Sequence, residues 1–371
     1  MASKVYFADM RTNSKRNLLD KTAILFDLAG LGEIIEKNDL VALKLHVGEP
    51  GNLAFVAPPF VRRIVEKVRE KGGKPFLTDS NTLYVGRRAN AVDHMISAYE
   101  NGFSYATVGA PFVVADGLNG HEYVKVPVQG KKLKETRIGA AIAHADALIA
   151  ITHFKGHEAT GFGGVFKNIG MGSASRTGKQ EQHSDVRPRV NPKICTRCGR
   201  CLKWCPAGAI TQGPDKIAVI DSSRCIGCAE CTITCTNGAI AINWVEGQKG
   251  ALQEKMVEYA MGVLNTKPGK AGFISFVMNV SPECDCANWN DAPIVPNIGI
   301  LASQDPVALD QACIDLVNAA PALPNSRLEK DLHAGDKFGA IHKGVDWHTQ
   351  LSYAEELGLG RREYELVKID R

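Results

Sequence analysis

Short apolar runs bounded by glycine, proline or small polar residues alternate along the chain with stretches of helical period. Lys4–Phe7, Asp39–His46, Lys74–Thr78, Ala145–Thr152, Ala271–Val280 and Asn297–Ala302 read as buried strands, with weaker ones near Pro111–Ala115 and Glu122–Val128. Helices are predicted at Arg16–Ala29 and from Pro58-Pro59, where Phe60, Ile64, Val65 and Val68 share a face and Gly72-Gly73 ends it. An alanine-rich helix is expected from Thr136. Another carries Leu252, Met256, Tyr259, Ala260 and Val263, a third runs from its Asp305-Pro306 cap to about Asn318, and a last spans Trp347–Leu357. This alternation predicts an α/β fold, a mostly parallel sheet covered by helices on both faces.

Between Gly170 and Pro192 the pattern turns polar, which reads as a linker or lid, and after Trp244 the α/β pattern resumes. Neither flank alone completes a sheet. Residues 1–190 and 245–371 are therefore expected to form one discontinuous α/β domain, with 191–244 an inserted α+β ferredoxin-like module.

At 371 residues the chain can bury a large core, and a net charge of +4 makes no case for nucleic acid. No apolar run reaches the ~18 residues a membrane span needs. The start lacks an apolar signal core, so a cytoplasmic protein is expected.

Cysteine changes the picture most. Cys195, Cys198, Cys201 and Cys205 are spaced C-x-x-C-x-x-C-x-x-x-C, and Cys225, Cys228, Cys231 and Cys235 repeat that spacing thirty residues on. The repeat extends to Cys205-Pro-Ala-Gly-Ala-Ile210 and Cys235-Thr-Asn-Gly-Ala-Ile240. Structural zinc prefers two separated pairs to a run of three, and disulfides are rare in a chain of this size without a secretory signal. The pattern resembles the bacterial ferredoxins that carry two [4Fe–4S] clusters, with Thr236 where proline is frequent. That resemblance implies crossed ligation: Cys195, Cys198, Cys201 and Cys235 on one cluster, Cys225, Cys228, Cys231 and Cys205 on the other. Lys193, Arg197, Arg200, Lys203, Lys216 and Arg224 outnumber Asp215, Asp221 and Glu230 here. Positive charge favours the reduced cluster, or simply solvates a face. Two clusters near solvent suit an anaerobe.

In open parallel sheets ligands bind beyond the carboxyl ends of the strands. The predicted strands end in Lys44, His46 and Glu49; in Asp79, Ser80 and Asn81; in His153, Lys155 and His157; and in Cys284 and Cys286. Gly161, Gly163 and Gly164 precede Lys167 and Asn168, and such a turn offers backbone N–H groups to an anion, or is simply a tight turn. No P-loop or dinucleotide fingerprint is present. If strand geometry persists, Cys284 and Cys286 point to one face. They then serve a metal or cluster edge, thiol chemistry or a reversible disulfide, or pack as small apolar residues.

Lys155-Gly-His157, the segment Thr160–Gly172 and Ile298–Asp310 resemble the family called domain of unknown function 362, many of whose members carry a two-cluster insert here. The resemblance implies fold and iron–sulfur content without a reaction. The expected function is an iron–sulfur electron-transfer protein, a ferredoxin-dependent oxidoreductase passing electrons from two [4Fe–4S] clusters to a substrate or second cofactor in the crevice. His46, Glu49, His153, Lys155, His157 and Lys167 would bind an anionic group or move protons, and Cys284 and Cys286 would hold the redox end. A redox partner protein, a small anionic substrate and a further metal or anionic ligand in the crevice are expected with it. The alternatives are an electron carrier with a docking domain and a metal or cluster delivery protein.

Overall fold

The computed structural model describes residues 2–84, 86–183, 188–205, 207–225, 230–235, 237–242 and 251–369. Its strands, in chain order, are β1 (Ser3–Asp9), β2 (Leu40–Lys44), β3 (Lys74–Asp79), β4 (Phe112–Val114), β5 (Tyr123–Pro127), β6 (Glu135–Gly139), β7 (Ala147–His153) and β8 (Lys155–His157). They continue as β9 (Gly161–Gly163), β10 (Pro188–Val190), β11 (Ile210–Gln212), β12 (Ala218–Ile220), β13 (Ile240–Ile242), β14 (Ala271–Val277), β15 (Gly299–Ser303) and β16 (Tyr364–Lys368). Eight of these form one sheet, ordered β16-β1-β15-β14-β7-β2-β3-β4. All run in one direction except β15, which is antiparallel to both β1 and β14. The fold is α/β.

The apolar runs make central strands because both of their faces are covered. Along β2, Ala42 joins one core while Val41 and Leu43 join the other; along β7, Leu148 and Ala150 alternate with Ile149 and Ile151 in the same way. Helices Leu18–Leu28 and Pro58–Glu70 supply one core, and Ala251–Asn265, Pro306–Ala319 and His348–Glu356 the other. Helix Pro306–Ala319 starts where expected because the Asp305 carboxylate accepts from the Val307 and Ala308 N–H groups, both at 2.9 Å.

Three local readings are corrected. Thr136 does not start a helix. Glu135–Gly139 is β6, paired with β5 and burying Thr136 and Ile138, and only Ala140–His144 is helical. The polar stretch after Gly170 is not a solvated linker throughout: Arg176–Gln182 is a helix capped by Ser175, and Arg176, Lys179, Gln180 and Gln182 are buried. β14 ends at Val277, because Asn279 takes a left-handed φ of 49° and donates its N–H to Asn297 Oδ1 at 2.7 Å.

The thirty-residue repeat is visible as structure. β10 corresponds to β12, helix Arg200–Trp204 to helix Glu230–Thr234, and β11 to β13, each thirty residues on. The halves interlock, β10 pairing with β13 and β11 with β12, around Cys201, Ile210, Ala218, Cys231 and Ile240. Cys228 and Trp244 lie outside the described residues, as does the expected boundary between 244 and 245.

Candidate functional site

The interlocked halves bring cysteines from both quartets together. Cys195, Cys198, Cys201 and Cys235 line one cavity, with Arg197, Arg200 and Lys216 among its other walls. Burial raises the Cys201 thiol, and charge on Cys198, Cys235 and Cys195 raises it further. That repulsion is what a set of thiolates generates and what cationic iron between them would relieve. Cys205 and Cys235 occupy equivalent turns, their sulfurs accepting from the Ala209 and Ala239 N–H groups respectively, each at 3.2 Å. Gly208 and Gly238 follow with φ of 55° and 66°, which turns the chain away after each fourth cysteine. The donor set fits a [4Fe–4S] cluster.

A second gathering of chemistry lies beyond the carboxyl ends of β2, β3, β7 and β14, adjacent and parallel strands. Cys284 and Cys286 arrive there on a β-turn closed by the Ala287 N–H to the Cys284 carbonyl (3.0 Å), not on a strand. The expected alternation of strand faces therefore does not apply, yet both sulfurs meet the same cation. Lys167 Nζ lies 2.8 Å from Cys284 Sγ and 3.7 Å from Cys286 Sγ. The Cys286 N–H donates to Cys284 Sγ at 3.3 Å, and His46 Nε2 stands 3.7 Å from Cys286 Sγ. A further hydrogen bond, from the Cys286 thiol, with the Lys167 and Lys155 charges, outweighs burial and brings the Cys284 thiol down to about 6. That thiol–thiol bond, with burial, raises Cys286. Burial disfavours the Lys167 ammonium, but the facing sulfurs more than compensate and hold it charged.

Asp285, between the cysteines, anchors the turn from below. Its carboxylate meets His153 Nδ1 at 2.8 Å and Lys155 Nζ at 3.0 Å, and these two neighbours overcome the burial that would otherwise raise it. His153 Nε2 faces the Met278 carbonyl at 2.9 Å. On the β2–β3 side Lys44 pairs with Asp79 at 3.0 Å and donates to Asn168 Oδ1 at 2.9 Å. Arg88 bridges Asp79 and Glu49 at 3.3 and 2.7 Å, and Tyr84 donates to Glu49 at 3.0 Å. Burial keeps His157 neutral, lowering it to about 4, while its Nδ1 accepts from the Ala159 and Thr160 N–H groups.

The glycine turn differs from its expected use. Gly161 and Gly163 belong to β9, paired with β8, and the Val165 and Phe166 N–H groups that follow are taken by Asp310 at 2.9 and 3.3 Å. The acceptor on this turn is one the chain itself supplies, a carboxyl that burial raises to about 7 against the two N–H bonds. Gly164 allows it, since a methyl there would overlap the Asp310 carboxylate. Asn168 is buried and fully engaged, its Nδ2 donating to the Lys44 and Ile151 carbonyls and to Thr152 Oγ1. Lys167 and Asn168 open a π-helical turn, Lys167–Met171. The strand-end network thus contains Asp285, Arg88, Tyr84 and Asp310, none of which was singled out as a site residue. Asp285 had a sequence signal in its place between the two cysteines, and Asp310 in closing the Ile298–Asp310 segment that carries the family resemblance.

Residues 41–315 match the protein family described as Domain of unknown function (DUF362). The chain belongs to this family. Shorter likenesses accompany that match. The iron–sulfur subunit 1 of an Hdr-like menaquinol oxidoreductase from Archaeoglobus fulgidus is 38% identical over 72 residues, 17% of this chain and 27% of that protein. The iron–sulfur subunit of an arsenate respiratory reductase from a Shewanella species is 33% identical over 61 residues, 16% of this chain and 26% of that protein. The chain thus spans about a quarter of the length of these relatives. The lactate racemase apoprotein from Thermoanaerobacterium thermosaccharolyticum superposes with a TM-score of 0.39 at 14% identity, covering 74% of this chain and 51% of that one. A likeness so remote bears on no chemistry. Among the described residues of this DUF362 member, no helix is long and apolar enough to cross a membrane.

Proposed function

We propose that the chain is an iron–sulfur electron-transfer protein, an oxidoreductase that exchanges electrons between two [4Fe–4S] clusters and a substrate or second cofactor at the carboxyl ends of the parallel strands. The observation that carries this reading is the convergence of Cys235 with Cys195, Cys198 and Cys201 around one cavity. A thiol thirty-four residues beyond the third cysteine of the first quartet has reason to be there if it completes a ligand shell. By the repeat, Cys205 completes the second shell with Cys225, Cys228 and Cys231. When bound, each cluster supplies a one-electron reservoir. Iron–sulfur subunits among the partial relatives point the same way.

The chain's own residues do the rest. Arg197, Arg200 and Lys216 at the first cavity offset the negative charge of four thiolates and stabilise the more reduced state. At the strand ends, Lys155 and Lys167 give a small anionic substrate a cationic setting beside His153, and His46 Nε2 and His157 supply nitrogens for proton transfer. The discontinuous α/β domain positions this site, and the inserted module meets a redox partner protein.

Anaerobically purified protein is expected to contain about eight irons and eight sulfides. Cys235→Ser and Cys205→Ser should each lose about half. Cys235→Ser should abolish the cluster on Cys195, Cys198 and Cys201, and Cys205→Ser the other, as read by electron paramagnetic resonance of the reduced protein. A metal-free or zinc-loaded protein, or loss of the sequence-neighbouring cluster in each variant, would overturn the reading.

A further inference from the structure

A buried ammonium is costly unless an anion accepts from it. Among the described residues, the hydrogen-bond acceptors of Lys167 Nζ are Cys284 Sγ and Cys286 Sγ. Glu158 acts on that charge without a hydrogen bond to it, and two thiols that merely filled space would leave Nζ without a charged acceptor, so the geometry calls for a thiolate. Three further features serve the same pair. The β-turn places Cys284 and Cys286 at its first and third positions, close enough for the Cys286 N–H to reach Cys284 Sγ. The turn itself is pinned: the Gly156 N–H donates to the Ser281 carbonyl at 2.8 Å, and the Pro282 carbonyl meets His342 Nε2 at 2.7 Å. The Gly48 N–H donates to His46 Nδ1 at 3.0 Å, which puts the proton of a neutral His46 on Nε2, facing Cys286 Sγ.

We propose that Cys284 and Cys286 are a dithiol/disulfide couple that takes up and releases an electron pair at the strand ends, an inference that rests on the electron-transfer reading above. On oxidation the Cys286 S–H bond breaks, one S–S bond forms with the Cys284 thiolate, and one proton and two electrons leave. On reduction the S–S bond takes up two electrons, of which each [4Fe–4S] centre would supply one when bound, together with one proton, and the Cys284 thiolate and Cys286 thiol re-form. One disulfide therefore matches the capacity of two one-electron centres. Lys167 stabilises Cys284 as the thiolate whenever the bond is open. The Nε2–H of His46 is the donor to Cys286 Sγ while that sulfur carries charge. Cys286 is the more exposed residue of the two, Cys284 being only 4% exposed.

The intact, cluster-loaded chain would be equilibrated without oxygen in a series of dithiothreitol redox buffers, then denatured in alkylating agent and digested. The expected result is a two-electron transition of the peptide containing Cys284-Asp-Cys286, from doubly alkylated to internally linked and lighter by two hydrogens. Lys167→Met should move the equilibrium about tenfold toward the disulfide, because stabilising the thiolate favours the reduced form, and Lys167→Arg should restore most of it. A pair that stays doubly alkylated in every buffer overturns the couple, as does a pair protected by a stoichiometric metal that Cys284→Ser removes. Iron and sulfide analysis of the same samples separates the two claims. Full cluster content with an unlinkable pair leaves the electron-transfer reading standing without the couple. A two-electron transition in protein that never binds iron supports the couple and removes the reading.

Discussion

Lys167 and Cys284 determine each other's charge, so a single substitution has a readable consequence. With the Cys284 thiol brought down to about 6, thiolate is present above that pH and is lost as pH falls through it. The rate of alkylation at Cys284 by a small reagent should therefore rise through pH 6 and level off by pH 7, and in Lys167→Met the rise should move toward the ordinary thiol range near 8.5. An unshifted profile in the variant would show that the ammonium does not act on the sulfur. Asp285 supports a second prediction. It is buried between His153 and Lys155 at 2.8 and 3.0 Å, and Asp285→Ala would strand both partners. A loss of about 3–5 kcal/mol in denaturant unfolding is expected, the cost of breaking a buried ion pair from one side. A loss below about 1 kcal/mol would mean that solvent or His153 neutralisation compensates. Such pairings were not legible in the sequence, since Asp285 stands more than a hundred residues from His153 and no periodicity connects them. His46 and the two cysteines were legible because each follows an apolar run that reads as a strand of a covered sheet, and Lys167 because it follows a glycine-rich turn.

At the level of elements, the short strand β8 does more than its length suggests. A side chain at Gly156 would overlap the Pro282 carbonyl, so glycine lets β8 dock directly on the loop that carries the cysteines. Gly156→Ala should push that loop away, costing about 1–3 kcal/mol as overpacking does and raising the pH at which Cys284 alkylates. Melting and alkylation profiles recorded together check this, and a variant with normal values for both would show that the loop yields without moving the sulfurs. β8 and β9 were unreadable beforehand because three-residue strands carry no period. β6 was misread for a different reason. Its Glu-Thr-Arg-Ile-Gly alternates in and out as a strand should, but the alanines after it suggested one continuous helix from Thr136. Helix Arg176–Gln182 escaped because hydropathy equates polar with exposed. Lys179 is instead buried and donates to the Ala174 carbonyl at 2.6 Å.

Across the whole molecule, the parallel sheet and the duplicated cysteine module were legible because repetition is what a sequence displays most directly. How the strand ends titrate was not, and it bears on behaviour in acid. Burial lowers His157 to about 4, helped by the Lys167 and Lys155 charges and opposed by Glu158 and Cys286; burial likewise lowers His183 to about 3, with His157, Lys167 and Lys255 adding to it and Glu158 opposing. Both rings titrate near 6.5 in the unfolded chain, so unfolding takes up protons below that pH. The stability they contribute is fully present above pH 6.5 and is lost as pH falls toward 4 and 3, on the order of 3 kcal/mol for His157 and 5 kcal/mol for His183. Glu158, held near 2 by His157 against its burial, acts in the same sense at lower pH: its share is present above about 4.5 and lost through 2. Urea midpoints followed by far-ultraviolet circular dichroism should therefore fall from pH 7 to pH 5, with His46, His94 and His342, also lowered by burial, adding to the fall and Asp310 and Asp116, raised by burial to about 7 and about 6, opposing it. His157→Gln, which cannot take up a proton, should make that fall smaller while lowering the midpoint at pH 7 through its lost hydrogen bonds. A fall as large in His157→Gln as in the wild type would show that this ring is charged or solvated in the native protein, and the strand ends would then be wet rather than dry.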